Sequence, residues 1–275
     1  MHWRQRLTDR LKNVTTKLER RFVDPRKFKD GWRPPSPIDE TQIRTANFGY
    51  DEEATIKQAM ALIWDHTMLS YDCLATLWLQ VRYLDRYRIR GALVECGTFK
   101  GGAVGMMALA HLASHPEPVR ALHLFDSFEG LPEPRADMDG DYAVNYTAGH
   151  GSGSLVTTGR LACSVDVPRN LLNERIRYPE LLVKYHVGWF QETLPRDAAS
   201  IGEIGLLRLD GDWYESTRVC LEYLYPKVVK NGVIVIDDYG YWQGCRRAVD
   251  EFTSLQSDPI MLHHIESSAR YWLKG

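Results

Sequence analysis

The chain has 275 residues, of which 44% are hydrophobic and 25% are charged, and its formal net charge at pH 7 is −2. This composition is typical of a globular protein with one large core, so it excludes a disordered or membrane-embedded class and gives no general argument for nucleic-acid binding. The five cysteines are widely spread and form no Cys-x-x-Cys pair, which argues against a disulfide framework or a zinc site and predicts a cytoplasmic protein.

Residues 1–30 form a basic segment, with ten Lys or Arg against four Asp or Glu and a local charge of +6. Its apolar residues recur at steps of three or four, namely Trp3, Leu7, Leu11, Val14, Leu18 and Phe22. This spacing predicts an amphipathic helix, which we expect to pack on the rest of the chain or on a second subunit of a homo-oligomer. The alternative is peripheral contact with an anionic membrane surface. The Pro-rich run at 32–37 then predicts a linker, so that residues 1–50 form an N-terminal addition and residues 51–275 form the main domain.

Helices and strands alternate along the main domain. Helices are predicted at 53–65 and at 70–87, the second with Ser70 as its N-cap. The predicted strands are Ala92–Cys96, 121–125, 185–187, 204–210 and 233–237, and helical stretches separate them. This alternation is typical of a doubly wound, mostly parallel α/β sheet. Two segments near the end, 260–265 and Arg270–Leu273, predict an antiparallel hairpin that completes the sheet.

A glycine-rich turn follows the first predicted strand. Gly97, Gly101 and Gly102 precede a helical stretch, and a backbone without Cβ atoms lets a ligand approach closely. The spacing differs from the Gly-x-Gly-x-x-Gly of dinucleotide folds, so a pyrophosphate is not favoured. Asp126 ends the second strand 25 positions after Gly101, near the place where an acid receives ribose hydroxyls. A cofactor with a ribose but no diphosphate fits best, and an ordinary turn followed by a surface acid is the alternative.

Two acidic clusters follow the fourth and fifth predicted strands. Asp210 and Asp212 end one strand, and Asp237 and Asp238 end the next. Because the carboxyl ends of parallel strands meet at one edge, three or four carboxylates would lie together, and such like charges need a cation. Oxygen donors without His or Cys favour magnesium over zinc. Asp212 alone fits better as the cap of the following helix, and Asp237 and Asp238 share one ion only if the chain turns there.

Four longer motifs resemble the macrocin O-methyltransferase (TylF-like) family. They are Phe125-Asp-Ser-Phe-Glu-Gly-Leu-Pro132, Gly188-Trp-Phe-Gln-Glu-Thr-Leu-Pro195, Leu209-Asp-Gly-Asp-Trp-Tyr-Glu-Ser-Thr217 and Ile236-Asp-Asp-Tyr-Gly-Tyr-Trp-Gln-Gly-Cys-Arg-Arg-Ala-Val-Asp-Glu-Phe252. The resemblance runs from about residue 67 to residue 252, which is too long for a chance match of one short pattern. It implies a class I methyltransferase (Rossmann-like) fold with a seven-stranded sheet. It also implies a reaction that uses S-adenosylmethionine and Mg²⁺ to methylate a sugar hydroxyl.

The resemblance further implies roles for individual residues. The cofactor residues would be Glu95, Gly97, Thr98 and Gly101 near the methionine end, Asp126 and Ser127 at the ribose, Gly188 and Phe190 near the adenine, and Met68 and Ser70 in a segment that closes over the cofactor. The metal ligands would be Asp210, Asp237 and Asp238. We expect Asp210 to act also as the catalytic base.

A metal-assisted methyl transfer fits these residue types on chemical grounds. A sugar hydroxyl is a poor nucleophile at neutral pH, and an ion that holds a vicinal diol lowers the pKa of the reacting oxygen. Asp210 can accept the proton, while the sulfonium cofactor carries an activated methyl group. Two histidines are alternative bases. His150 lies in a loop rich in Gly and Ser, and His186 falls inside a predicted strand, where we expect a structural role.

Three other functions fit parts of the sequence. A dehydrogenase would use Tyr223 and Lys227 as Tyr-x-x-x-Lys, but Pro226 would disrupt the helix that presents such a pair. A methyltransferase of small phenolic diols would use the same cofactor and metal. Aromatic residues could line either acceptor pocket, namely Trp189, Trp213, Tyr214, Tyr239 and Trp242. A non-catalytic binding module would need neither the glycine turn nor the acids, which argues against that function. From the family resemblance, we expect the acceptor to be a sugar-containing small molecule or a glycan.

Overall fold

The computed structural model of the chain describes Ile38 and residues 49–275. The predicted basic helix and the Pro-rich linker lie outside the described residues, so the homo-oligomer and the membrane contact inferred from that helix stay predictions. In the described part of the chain, no helix is both long enough and apolar enough to cross a membrane.

The strands of residues 49–275 form one seven-stranded sheet. They are β1 (Ala92–Cys96), β2 (Leu122–Asp126), β3 (Val183–Val187), β4 (Ile204–Leu209), β5 (Val228–Ile236), β6 (His263–His264) and β7 (Arg270–Leu273). Their order in the sheet is β3-β2-β1-β4-β5-β7-β6. The first five strands pair in parallel, whereas β7 is antiparallel to both β5 and β6. This confirms the predicted doubly wound sheet with a C-terminal antiparallel hairpin.

In the described residues, two α-helices precede β1, five lie in the connections between the parallel strands, and one follows β5. They are α1 (Glu53–Ile63), α2 (Tyr71–Arg86), α3 (Gly102–Ser114), α4 (Ala136–Thr147), α5 (Asp166–Asn170), α6 (Phe190–Asp197), α7 (Tyr214–Leu224) and α8 (Gln243–Ser254). The Ser70 hydroxyl accepts the Cys73 N–H at 3.3 Å, which confirms Ser70 as the N-cap of α2.

The core lies on both faces of the sheet, because successive residues of a buried strand point to opposite sides. In β1, Leu93 packs with α1, α2 and α3, whereas Val94 packs with α6, α7 and α8. In β4, Leu206 and Leu207 are both fully buried, one in each core. Strands covered on both faces are continuous apolar runs, which is why the sequence pattern predicts them.

Strand β5 is longer than predicted, since it begins at Val228 rather than at 233. Asn231 and Gly232 look like a turn in the sequence, yet the strand continues through them with Asn231 at φ 63°. Val228 pairs with Ile204 and Val233 with Leu206, so the register with β4 shifts between these pairs and the local turn signal appears as a bulge within β5.

The N-terminus of α7 is held by a distant residue. Asp139 Oδ1 accepts the Tyr214 N–H at 2.7 Å, and Asp139 Oδ2 accepts the Arg135 N–H at 2.7 Å. Trp213 occupies the N-cap position without a side-chain cap. The prediction that Asp212 caps this helix is therefore wrong, because Asp212 has φ 58° and its carboxylate accepts the Trp242 indole N–H instead.

Replacing Asp139 should destabilise the fold. In Asp139→Ala one buried and one partly buried N–H group lose their acceptor, so the free energy of unfolding should fall by about 1–3 kcal/mol. Urea denaturation followed by circular dichroism measures this change. The matched control is Asp141→Ala, an exposed position on the same helix, where we expect a change within about 0.5 kcal/mol. Equal losses in both variants would show that the two bonds of Asp139 do not stabilise α7.

Candidate active site

The carboxyl ends of β1, β4 and β5 lie side by side and form the centre of the site. Glu95 of β1 is in register with Arg208 of β4. The Asp210 N–H donates to the last carbonyl of β1 at 2.8 Å, and the Asp237 N–H donates to the last carbonyl of β4 at 2.9 Å. These bonds bring the predicted glycine turn and both acidic clusters to one edge of the sheet, where such folds bind ligands.

The glycines of the turn are required by contacts within the protein. Gly97 has φ 89°, and a Cβ there would lie 1.8 Å from the Asp210 carbonyl oxygen. Gly101 has φ 88°, and its Cβ would lie 2.7 Å from Pro168 Cβ. Glycine adopts this backbone without strain and leaves room for these neighbours. The sequence pattern does not show this reason, because the atoms that crowd both Cβ positions belong to residues distant along the chain.

Asp126 closes the glycine turn from the end of β2. Its Oδ2 accepts the N–H groups of Thr98 and Phe99 at 2.7 and 2.9 Å, and its Oδ1 accepts the Phe128 N–H at 2.7 Å. Burial raises the pKa of this carboxyl, and the three N–H donors oppose that rise. A carboxylate with three bonds made keeps further acceptor capacity for hydroxyls such as those of a ribose.

Other predicted cofactor residues surround this carboxylate. The Gly188 N–H donates to the Asp126 carbonyl at 2.9 Å, so the turn after β3 lies against the end of β2. Phe190 begins α6, and its ring lies beside Gly211 in the loop after β4. The Ser127 hydroxyl donates to a carbonyl within its own turn at 3.0 Å and is therefore already engaged.

The segment before α2 lies against the start of α3. A Cβ on Gly102 would lie 2.5 Å from Thr67 Cβ, so these two residues are in close contact. The Met68 side chain is half exposed and is available to a ligand. The Ser70 hydroxyl, in contrast, donates to Glu266 Oε2 at 2.6 Å in addition to capping α2. Of the two predicted residues, Met68 is the one whose side chain is free of such bonds in the described structure.

The three acids predicted to bind metal form a cluster. One carboxylate oxygen from each of Asp210, Asp237 and Asp238 lies within 4.8 Å of the other two. Strand β5 ends at Ile236, and the chain bends at the next two residues. The turn required for Asp237 and Asp238 to face one ion is therefore present.

The electrostatics of the cluster favour a bound cation. Burial raises the pKa of Asp237 and of Asp238, and repulsion by neighbouring carboxylates adds to the rise. Burial also raises the pKa of Asp212, with repulsion from Asp210 as the next cause. Two like charges about 4 Å apart repel by about 4 kcal/mol at an effective dielectric of about 20. A divalent cation would relieve this repulsion, and three carboxylate oxygens without His or Cys fit Mg²⁺.

Arg208 lies between these acids, and sequence analysis did not single it out. Its Nη1 donates to Glu95 Oε1 at 2.8 Å and to Asp210 Oδ2 at 2.9 Å, and its Nη2 donates to Asp237 Oδ1 at 2.6 Å. The side chain is buried, with 2% exposure. The available signal was a charged residue inside the otherwise apolar strand β4, since a buried charge is stable only when it is paired.

Several buried polar atoms near the glycine turn have no partner. Among the described residues these include Glu95 Oε2, Thr98 Oγ1 and Arg208 Nε. Burial raises the pKa of Glu95 to about 8, and the charge of Arg208 opposes that rise. Because buried polar groups are normally hydrogen-bonded, these atoms indicate a place where a polar ligand completes the site.

Aromatic side chains border the cluster on the side of Asp212. The Trp242 indole N–H donates to Asp212 Oδ1, and the rings of Trp242 and Trp213 pack with centroids 4.9 Å apart. Both tryptophans are buried, whereas Tyr142 is 53% exposed. The Tyr142 and Tyr241 hydroxyl oxygens lie 2.8 Å apart. The two tryptophans are among the aromatic residues that the sequence indicates for an acceptor pocket, whereas these two tyrosines are not.

The two alternative bases have different surroundings. His150 is exposed in its loop, and its backbone N–H lies 3.4 Å from Glu133 Oε1. His186 lies in β3 with Nδ1 at 2.9 Å from Asp197 Oδ2 and Nε2 at 3.0 Å from His123 Nδ1. Both ring nitrogens of His186 are engaged within the protein, which is consistent with the structural role that we expected.

A second group of possible metal ligands, formed by Asp85, His111 and His115, belongs to the fold. His111 Nδ1 lies 2.8 Å from Asp85 Oδ2, and His111 Nε2 accepts the Val119 N–H at 3.2 Å. Arg120 Nε donates to Asp85 Oδ1 at 2.8 Å. Since both nitrogens of His111 are used and a guanidinium neutralises the acid, this group is a buried structural network.

Comparison with known proteins agrees with the sequence motifs. The Macrocin-O-methyltransferase (TylF) family matches residues 38–274. This span begins earlier and ends later than the stretch of about 67–252 over which the motifs show the resemblance.

Two relatives and one solved structure illustrate the similarity. Demethyldecarbamoylnovobiocin O-methyltransferase of Streptomyces niveus is 33% identical over 207 residues, which are 75% of this chain and 75% of that protein. The 8-demethyl-8-(2,3-dimethoxy-alpha-L-rhamnosyl)-tetracenomycin-C 4'-O-methyltransferase of Streptomyces olivaceus is 32% identical over 209 residues, again 75% of each chain. The structure of the O-methyltransferase NovP has a TM-score of 0.64 at 33% identity and covers 76% of this chain and 82% of its own. The chain therefore belongs to the macrocin O-methyltransferase (TylF) family and is an O-methyltransferase with the class I methyltransferase fold.

Proposed function

We propose that the chain transfers the methyl group of S-adenosylmethionine to a hydroxyl of a sugar carried by a small molecule, with Mg²⁺ held at the acidic cluster. The observation that carries the proposal is the meeting of a turn closed by Asp126 and a cluster of three carboxylates at one edge of the sheet. Cofactor and acceptor would then be aligned by neighbouring parts of one rigid sheet. Alignment of this kind contributes up to about 7–11 kcal/mol in favourable cases.

Eight of the ten residues proposed for the cofactor lie in or just after β1, β2 and β3, and the other two lie in the segment before α2. The ten residues are Met68, Ser70, Glu95, Gly97, Thr98, Gly101, Asp126, Ser127, Gly188 and Phe190. Asp126 supplies the acceptor for ribose hydroxyls, and Glu95 Oε2 and Thr98 Oγ1 supply buried polar atoms that lack a partner. These atoms support a polar ligand beside the turn.

The proposed metal ligands are Asp210, Asp237 and Asp238. When bound, Mg²⁺ supplies Lewis acidity that lowers the pKa of a vicinal-diol hydroxyl. Asp210 is the proposed proton acceptor, since its side chain is 30% exposed whereas that of Asp237 is 18% exposed. It is therefore the more open of these two acids to an approaching acceptor, and it stays oriented by its bond from Arg208.

Glycosylated natural products are the proposed class of acceptor. One relative is named for methylation of a rhamnosyl-bearing tetracenomycin, and another for methylation of a novobiocin derivative. In this chain the exposed ring of Tyr142 and the buried Trp242 lie on the Asp212 side of the cluster. Aromatic surface with nearby polar groups suits a sugar or the ring system that carries it.

Methyl transfer to two acceptors with vicinal diols tests this function. The purified chain is incubated with S-adenosylmethionine and either a rhamnoside of an aromatic aglycone or catechol, and the products are analysed by mass spectrometry. We expect methylation of the rhamnoside, its loss in EDTA and its recovery with Mg²⁺. Methylation of catechol alone would favour the phenolic alternative. Failure of the folded protein to bind either S-adenosylmethionine or S-adenosylhomocysteine would overturn the proposal.

Asp210→Asn should separate turnover from cofactor binding. The amide removes a proton acceptor and a charged ligand, so kcat should fall by about 100-fold or more. Calorimetric titration in EDTA should give a dissociation constant for S-adenosylhomocysteine within about threefold of the wild type, because Asp210 lies outside the proposed cofactor set. The control is Asp141→Asn, an exposed position. Full activity of Asp210→Asn would exclude Asp210 as ligand and base.

Asp126→Ala should act on cofactor binding first. Loss of a charged acceptor for ribose hydroxyls and turn N–H groups should weaken S-adenosylhomocysteine binding by about 10–100-fold. Asp126→Asn keeps the shape but only one carbonyl oxygen, so an intermediate loss is expected. Calorimetric titration measures both, and thermal melting verifies that each variant is folded. An unchanged dissociation constant in folded Asp126→Ala would show that Asp126 does not bind the ribose.

The stability of the metal-free protein should fall as pH rises. Burial raises the pKa of Glu95 from 4.5 to about 8, so the folded state binds more protons than the unfolded state between these values. The free energy of unfolding then decreases with pH across that window. Thermal melting in EDTA should show this decrease, and Glu95→Gln should make it shallower, while the raised pKa values of Asp212, Asp237 and Asp238 maintain the remaining slope. Mg²⁺ should raise the melting temperature most near pH 8, where the carboxylates are ionised, and an equal rise near pH 5 would contradict a carboxylate-held cation.

A further inference from the structure

Arg208 connects two parts of the site that the proposed function uses for different ligands. Its Nη1 donates to Glu95 on the strand that leads into the glycine turn. The same Nη1 donates to Asp210, and Nη2 donates to Asp237, in the cluster proposed for Mg²⁺. One guanidinium therefore contacts the cofactor side and the metal side together.

The geometry leaves one oxygen of each carboxylate for another partner. Arg208 contacts Glu95 Oε1, and Glu95 Oε2 is buried without a hydrogen bond. Arg208 contacts Asp210 Oδ2 and Asp237 Oδ1, and each of these acids can present its other oxygen to a cation. The guanidinium is planar and rigid, so if it moves at one carboxylate, its contacts with the other two also change.

We propose that Arg208 is a positioning residue that couples the binding of Mg²⁺ to the binding of the cofactor. A divalent cation at Asp210 and Asp237 would take up their charge and repel the guanidinium, which leaves the Glu95 carboxyl as its principal side-chain partner. The stronger pair holds Glu95 in place, with Oε2 available to a donor group of the cofactor. Each ligand then strengthens the binding of the other by the same factor. This inference rests on the proposed function, because it needs both ligands in one site.

The matched control is a second buried arginine outside the site. Arg120 bonds to Asp85 through Nε and to backbone carbonyls through Nη1 and Nη2. Arg120→Met removes a buried guanidinium, as Arg208→Met does, so both variants share a general loss of stability. Coupling between Mg²⁺ and the cofactor should change only in the variant at Arg208. Arg208→Lys keeps the positive charge but lacks the planar guanidinium with its several N–H donors. It replaces Arg208→Met in the test if that variant does not fold.

The test is calorimetric titration of the full chain with S-adenosylhomocysteine, in EDTA and in saturating MgCl₂. In the wild type and in Arg120→Met, Mg²⁺ should tighten binding by about fivefold or more. In Arg208→Met and Arg208→Lys the ratio should fall below about twofold. Titration with Mn²⁺, followed by electron paramagnetic resonance, measures the metal site in each variant without the cofactor.

Three outcomes would overturn the coupling. The first is a ratio near one in the wild type while S-adenosylhomocysteine and Mn²⁺ each bind, which leaves the proposed function intact. The second is a wild-type ratio preserved in the variants at Arg208. The third is loss of Mn²⁺ binding in both of these variants with an unchanged dissociation constant for S-adenosylhomocysteine in EDTA, which would confine Arg208 to the metal site. Failure of the folded wild type to bind S-adenosylhomocysteine at all would instead contradict the proposed function.

Discussion

Arg208 and the carboxylates around it set the requirements that the rest of the site has to meet. Glu95, Asp210 and Asp237 come from the ends of three neighbouring strands and share this one guanidinium. Removing an ion from water costs several kcal/mol, so each of these charges is tolerable only with its partner in the correct position. The pairing therefore depends on the register of β1, β4 and β5, which the two hydrophobic cores fix at the same time. A slip by one residue would turn Arg208 to the other face of the sheet and expose the core residues beside it.

The loops beyond these strands are bonded to one another as well as to their own strands. Asp210 leaves its carbonyl against Gly97, so the glycine turn and the acidic loop touch at a position where no side chain fits. The Asp212 N–H donates to Asp238 Oδ2 at 3.1 Å, and the Asp212 carboxylate holds Trp242. A change at the acidic cluster therefore reaches both the glycine turn and the aromatic border within one or two contacts. The site behaves as one connected network, in which the effect of any single group depends on its neighbours.

The sequence predicts what is local in this structure. Apolar runs with intervening helical stretches predict the sheet, and their ends locate Gly97, Asp126 and the acids. Such patterns do not predict contacts between residues that are distant along the chain, because only the register of the folded sheet brings these residues together. Arg208 was hidden inside a correctly predicted strand, and the acceptor for the N–H of Tyr214 is Asp139, 75 residues away. The spacing of Asp212 is typical of a helix cap, but its carboxylate accepts the Trp242 indole N–H, and the N–H at the start of α7 donates to Asp139 instead.

The groups without partners fit a site whose ligands complete its bonding. Buried carboxylates with raised pKa values and unpaired polar atoms beside the glycine turn cost stability in the free protein. The fold tolerates this cost because the two large cores hold the strand ends in place whether or not a ligand is present. Donors, acceptors and charges that are already positioned need no reorganisation when charge moves between acceptor oxygen and methyl group. The groups that weaken the ligand-free fold are therefore the ones already placed to meet a ligand, and a ligand that bonds to them would restore part of the stability that the fold lacks without it.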